Sequence, residues 1–448
     1  MTPSHDRRSP ILAVCCVLAA AALAHAVQLD NGRYYPDAIP WLIAAVAFAW
    51  AGWLTPRWRI PELTFIACIA VMLWEIFQSM TAMPMEGSFD PYVPFYFWAV
   101  AMPILAGAAI GAALLDRWRN WLIGLLLVCF FLTGAWLLHK SRPPSLDVYE
   151  SSKDACHALV HGVNPYAIDF PNLFYDPRWE GPIWPPGSVV NGRVKLGFPY
   201  MPLDLEIESA GYLLGDFRIA NLLAMTFTAA LIAFCRPGRL SAAAAGLLLL
   251  MPRSFYVIQQ GWVEPIVACG VAAVVVCACR YRTGLPWALG LLMVSKQHLL
   301  FVLAAMPLLL PRPWISKQSA WFCVKAFGIG ALVTLPLVIW DLRAFWHSAV
   351  YWHLTNPFRS DSLNFSAAWV AAGHATPPDW LAFAVAIFSA LVVIRAPRTP
   401  SGFAAAVAII YLCFFVTAKQ AFCNYYYLII AMLCCAIAAY EPEKRVVS

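Results

Sequence analysis

Apolar residues fill the chain in successive runs, each about long enough to cross a bilayer, and short polar turns separate them. The runs predict membrane helices near 10–27, 39–55, 62–80, 92–115 and 120–138. Further runs predict helices near 219–235, 240–258, 263–280, 319–340, 379–396, 402–418 and 422–440. Residues 284–310 are too long for one simple span, and both flanks are basic, at Arg280/Arg282 and at Arg312/Lys317. They predict two short helices that enter and return, with Ser295-Lys296-Gln297-His298 at the tip. The one long polar interruption is 139–218. Within it Asp147–Val160 reads as a helix closed by Gly162, with a turn at Asn164-Pro165. Phe198 to Gly215 carries Asp204, Glu206 and Glu208 and reads as a partly wet helix lying along the interface. The expected fold class is all-α, a polytopic transmembrane bundle of about 12–14 membrane helices. Its expected parts are the N-terminal helices (1–138), a loop region with interfacial helices (139–218) and a C-terminal bundle (219–448) with an outer loop at 341–378.

Composition agrees with the pattern: 62% of residues are hydrophobic, 12% are charged, and the mean hydropathy is +0.68. The net charge of +6 is distributed as short clusters between apolar runs, at Arg57/Arg59, Arg117/Arg119, Arg236/Arg239 and Arg280/Arg282. That spacing is a topology signal rather than a nucleic-acid footprint, and no nucleic-acid partner is expected. With these clusters inside, both chain ends are cytoplasmic and 139–218 and 341–378 lie outside. The start of the chain, with Arg7, Arg8, an apolar run from Ile11 and Ala24-His25-Ala26, resembles a signal peptide, cleaved or retained. Nearly all of the 14 cysteines fall inside apolar runs, only Cys156 being in the long loop, so neither a disulfide framework nor a cysteine metal site is expected.

On this topology the polar chemistry gathers on one face. Asp147 opens the long loop and is the first choice for a general base, since partial desolvation and nearby lysines can set its pKa; an N-cap role is compatible with that. Asp154 and His157 follow on the same helix, Asp154 either as a second acid or as a solvated charge. Tyr166 suits stacking on a sugar or an interfacial belt, and Trp179, Trp184 and Tyr200 share that ambiguity. Lys296 interrupts an apolar run and demands a partner, either an anionic ligand such as a phosphate or an ion pair with Glu264 or Asp361. Gln297 and His298 would add neutral hydrogen bonds beside it. Gln260, Glu264, Lys419, Gln420 and Asn424 map to the same face, with Glu264 a further catalytic candidate and Lys419 a candidate for interfacial snorkelling.

The ordered stretches Asp147-Val148-Tyr149, Gly162-Val163-Asn164-Pro165-Tyr166, Phe198-Pro199-Tyr200-Met201-Pro202, Gly215-Asp216-Phe217-Arg218, Ser295-Lys296-Gln297-His298 and Asn424-Tyr425-Tyr426-Tyr427 span roughly 145–430. In order and spacing they resemble the GT-C superfamily of integral-membrane glycosyltransferases, most closely the polyprenyl-phosphate-mannose-dependent mannosyltransferases (glycosyltransferase family 87). The resemblance implies a GT-C-like bundle in a bacterial inner or plasma membrane with its active face outside the cytoplasm. It implies inverting transfer of mannose or another hexose or pentose from a polyprenyl-phosphate donor to a lipid or glycan acceptor, with Asp147 as base. Tyr149 and Asn164 enter the substrate site through the matching motifs. Lys296, with Lys419 or Arg218, would stabilise the departing phosphate. No cofactor is expected. Metal dependence stays open, because no Asp-x-Asp or Asp-Glu pair stands at Asp147, and Glu86 and Asp90 remain alternative carboxylates. The rival class is a flippase or transporter of a lipid-linked envelope precursor, which would need a phosphate site and an apolar groove but no base.

Overall fold

The computed structural model describes residues 13–54, 61–81, 83–174, 183–310 and 313–440. Arg7, Arg8, Ile11, Arg57, Arg59, Trp179, Arg312 and the tail Glu441 to Arg445 lie outside the described residues. Among the described residues the fold is all-α apart from one small sheet. Among the described residues six helices are long and apolar enough to cross a membrane: Pro36–Leu54, Glu62–Thr81, Val93–Leu114, Asp116–Lys140, Arg218–Cys235 and Lys317–Trp340. Shorter apolar helices complete the bundle, among them Ala13–Leu29, Trp380–Val393, Pro400–Phe415 and Cys423–Ala438. The first and last parts of the chain share one core, because the alanine-rich helix Ala13–Leu29 packs against both Pro61–Thr81 and Cys423–Ala438. Small side chains allow that close approach. The turn after the first helix is sealed at Gly32, whose φ is 75° and where a Cβ would sit 2.3 Å from the Cys423 backbone nitrogen. Each of the 14 cysteines carries a free thiol.

Two expected elements differ from the structure. The span expected at 240–258 is broken: helix Arg239–Leu250 stops before Pro252, and Ser254–Gln259 forms a separate short helix. The break frees Arg253 to donate from Nη1 to the Met83 carbonyl at 2.9 Å. The helix Pro202–Leu213 has 12 residues, about 18 Å at 1.5 Å per residue and too short for a crossing of roughly 30 Å. Only Glu206 of its carboxylates is exposed, however; Asp204 and Glu208 are fully buried, and Glu208 accepts from Asn221 Nδ2 at 3.0 Å.

The loop region 139–218 is built on its own aromatic packing. Tyr149, Tyr166, Phe198, Phe217 and Phe345 form one cluster, and Phe170, Trp184, Val194 and Trp352 another. The latter cluster backs a three-stranded antiparallel sheet of Phe170–Pro171 (β1), Val189–Val190 (β2) and Arg193–Val194 (β3), in the order β1-β3-β2. Asn191 and Gly192 make the two-residue turn between β2 and β3, both at positive φ, as the tightest hairpins require.

Residues 285–308 form two short helical segments, Leu285–Met293 and Gln297–Leu308, joined by a turn at Val294-Ser295 and by Lys296, which is extended at φ −147° and ψ 147°. Lys296 is 2% exposed and pairs with Glu264, which is fully buried at the start of helix Glu264–Arg280. Asn424 Nδ2, at the start of the last long helix, donates to the same Glu264 oxygen at 2.7 Å. Three separate helical segments are therefore pinned at one point. Of the two partners open to Lys296, the structure shows the ion pair with Glu264.

Removing one member of a buried pair leaves an uncompensated charge and typically costs about 3–5 kcal/mol, whereas replacing both costs less. Lys296→Ala is therefore expected to lower the thermal unfolding midpoint in detergent, and Lys296→Met combined with Glu264→Gln to recover most of the loss. An unchanged midpoint in the single variant would show that the pair is not a structural pin.

Candidate active site

Above the pin lies a cavity of about 680 Å³, at the end of the bundle that carries the 139–218 and 341–378 segments. Asp147 stands in its wall as the first residue of helix Asp147–Val160. The preceding Pro143-Pro144 stiffens the approach, and Leu146, extended at φ −134° and ψ 135°, occupies the N-cap position with no side-chain cap bond. The carboxylate is thus not spent as an N-cap. Among the described residues it has no ion-pair partner. Burial raises the Asp147 carboxyl above its ordinary range, while the Arg359 guanidinium and the backbone N–H groups of Val148 and Asp147 pull it back down. A partly buried carboxylate held at a helix start by backbone N–H groups, without an ion-pair partner among the described residues, has the attributes of a general base.

Three guanidinium groups share the cavity with it: Arg33 from the turn after the first helix, Arg142 from the approach to Asp147, and Arg359 from the 341–378 segment. Arg359 is fixed by a two-point pair with Asp361, at 2.8 and 2.7 Å, and lies over the Phe422 ring at 5.1 Å. Arg142 lies over the Phe89 ring at 5.6 Å. Arg33 and Arg142 have no carboxylate partner among the described residues. Trp184, Trp262, Trp352, Tyr200, Tyr256 and Tyr425 supply aromatic surface. Gln260 Nε2 and Asn424 Oδ1, both buried and without a protein partner, are polar ends on the cavity wall. His353 donates from Nε2 to the Pro199 carbonyl at 2.5 Å, and burial pushes its pKa down to about 4, so it is neutral at pH 7.

Of the residues singled out in the sequence, Asp147, Tyr200, Gln260, Gln420 and Asn424 line the cavity, with Trp184 beside them. Glu264 and Lys296 lie one layer beneath: Lys296 Nζ is 4.5 Å from the Tyr200 ring centroid and 5.0 Å from that of Tyr425. Gln297 is occupied as a staple, donating to the carbonyls of Pro199 and Ala349 at 2.7 and 2.6 Å. His298 sits among Tyr411, Phe415 and Tyr425. Lys419 donates to the Asn356 carbonyl at 2.7 Å and so ties down the 341–378 segment.

Others lie off the cavity. Tyr149 is buried against Phe217, with Arg218 over its ring at 5.1 Å. Arg218 is engaged by Asp216 and the Gln259 carbonyl. Tyr166 is 2% exposed and donates its hydroxyl to the Tyr200 carbonyl at 3.0 Å, which positions Tyr200 rather than a ligand. Asn164 caps its own turn by accepting from the Tyr166 N–H at 2.9 Å. Asp154 is partly buried on the loop helix, its carboxyl raised by that burial, and exposed His157 meets the Tyr212 hydroxyl at 2.9 Å. Of the alternative carboxylates, Glu86 lines the cavity and Asp90 pairs with Lys140 at 3.4 Å.

The three arginines are what the sequence reading missed. Their signal is that they stand next to apolar spans on the face opposite the basic clusters, against the usual charge bias. Among the described residues no group of three or more His, Cys, Asp or Glu is placed to hold a metal ion.

No family model matches this chain, and no curated protein matches it. Among solved structures it is similar to ArnT from Cupriavidus metallidurans, a crystal structure with undecaprenyl phosphate bound, at a TM-score of 0.45 and 15% identity. The match covers 71% of this chain and 59% of the ArnT chain. A likeness of that extent does not carry an activity from one chain to the other.

Proposed function

We propose that the protein is an integral-membrane glycosyltransferase that moves a sugar from a polyprenyl-phosphate donor to a hydroxyl acceptor on the extracytoplasmic side, with inversion. The observation that carries this reading is that Asp147, a partly buried carboxylate without an ion-pair partner among the described residues, shares one cavity with the guanidinium groups of Arg33, Arg142 and Arg359 and a set of aromatic rings. Asp147 takes the proton of the acceptor hydroxyl as that oxygen bonds to the anomeric carbon, and the bond from that carbon to the phosphate oxygen breaks. The arginines hold the departing phosphate, which they suit as planar, permanently charged donors. The tyrosine and tryptophan rings offer faces for the sugar. Lys296 lies behind Tyr200 and Tyr425 and contributes through the floor of the cavity, with Glu264 neutralising its charge. Mannose is the donor sugar that the motif resemblance favours.

Asp147→Asn retains size and removes the base, so it is expected to lower turnover by about 10²- to 10⁴-fold with little loss of folded protein. The assay is purified protein with a suitable acceptor and either a polyprenyl-phosphate sugar or the matching nucleotide sugar. Turnover from the nucleotide sugar alone, or near wild-type turnover in Asp147→Asn, would refute the assignment.

The pH dependence has a definite sign. The base acts when deprotonated, so activity is present above the Asp147 pKa and is lost as pH falls through it. Burial puts that acid limb above the unperturbed aspartate value of about 3.9. Arg359→Gln removes the cation that opposes the shift and is expected to move the limb of kcat to still higher pH, whatever it does to the rate. A limb that moves to lower pH in that variant would contradict the pairing of roles.

A further inference from the structure

A second cavity of about 730 Å³ opens on the flank of the bundle, between helix Ala13–Leu29, helix Pro61–Thr81 and Arg253. Its outer rim is apolar and exposed: Trp74 at 44%, Phe77 at 57% and Met83 at 46%. Its interior is polar. Gln28 Oε1, Asn31 Oδ1 and Gln78 Oε1 are buried acceptors with no protein partner, and Gln78 as a whole is 5% exposed. Arg253 donates to the carbonyls of Met83 and Gln28 at 2.9 and 3.3 Å, but its Nε–H is buried without a partner, and among the described residues no carboxylate pairs with its charge. Asn31, Glu86 and Gly87 line this cavity and the one containing Asp147, and the hydrogen bond from Asn31 Nδ2 to Glu86 Oε1, 2.5 Å long, stands in the wall between them.

These features specify complementary chemistry. Arg253 has Glu86 and Asp30 within electrostatic reach but no ion pair among the described residues, and its free Nε–H suits an anion, for which phosphate is the best match. Several acceptors without donors call for hydroxyl groups, because leaving them unpaired costs free energy. An exposed tryptophan and phenylalanine on a membrane helix call for an acyl or prenyl chain alongside. One class of molecule carries all three, a lipid whose headgroup bears a phosphate and free hydroxyls. We propose that this flank cavity binds such a lipid and is the berth from which a lipid acceptor presents its hydroxyl across the Asn31–Glu86 wall to Asp147. The identification of the occupant as the acceptor rests on the glycosyl-transfer reading; the binding of the lipid does not.

The test uses the purified, delipidated full chain without any donor. Native mass spectrometry with equimolar phosphatidylglycerol and phosphatidylcholine is expected to show preferential retention of phosphatidylglycerol, which alone of the two has headgroup hydroxyls and a net negative charge. Loss of one charge-assisted contact corresponds to about tenfold or more in affinity, so Arg253→Gln is expected to lose that preference by about this factor. Gln78→Leu, which removes a buried acceptor and keeps the volume, is expected to weaken it as well. It carries the test if Arg253→Gln unfolds. Asp147→Asn is expected to bind as wild type. Equal retention of the two lipids, wild-type retention in both cavity variants, or full displacement by millimolar inorganic phosphate would overturn the proposal. Because no sugar is transferred in this measurement, its failure is separate from failure of the proposed activity.

Discussion

The structure turns on one buried ion pair. Lys296, between the short helical segments Leu285–Met293 and Gln297–Leu308, is held by Glu264, and Asn424 joins the same oxygen from the last long helix. A lone buried ammonium would be expensive, and so would a lone carboxylate; together they let a polar break between two helical segments sit in an apolar bundle. The consequence is spatial. The pair fixes Tyr200 and Tyr425 above it as the floor of the cavity, and Tyr200 is held from the other side by the Tyr166 hydroxyl. The position of the cavity, and of everything that reaches into it, follows from that floor.

The walls come from distant parts of the chain. The turn at Asn31–Arg33 belongs to the N-terminal helices, Arg142 and Asp147 to the start of the loop region, and Arg359 to the segment before the last helices. The Tyr34 N–H donates to the Asp361 carbonyl at 2.8 Å, which ties the first of these to the last. The N-terminal helices are therefore part of the site as well as of the core. The bundle core is closely packed with apolar side chains, with Glu75 a buried carboxylate among them. That arrangement favours chemistry at one face over passage through the bundle.

Hydropathy made the helices legible, because a bilayer imposes both their length and their composition. The spans at 39–55, 62–80, 92–115 and 120–138 match helices of the structure closely, and the apolar run 284–310 is interrupted at Lys296 as its polar residues suggested. Asp147 was legible as a carboxylate opening the only long polar segment. The break at Pro252 was in plain sight but was outweighed by the apolar run on either side. Whether a polar side chain is spent on its own fold was not legible at all. Tyr166, Asn164, Gln297 and Arg218 have the chemistry of ligand-binding residues and use it on backbone groups and neighbours within the protein. Arg33, Arg142 and Arg359 meet only in three dimensions, and no local pattern joins them.

The role of the cavity is decided by what the three arginines and Asp147 face when substrate is present. The most direct measurement is a cryo-electron microscopy structure of the protein with a non-hydrolysable polyprenyl-phosphate sugar. The phosphate is expected within hydrogen-bond reach of at least one of Arg33, Arg142 and Arg359, with the anomeric carbon turned toward the Asp147 side of the cavity. A phosphate seated elsewhere, or a sugar whose anomeric carbon faces away from Asp147, would contradict it.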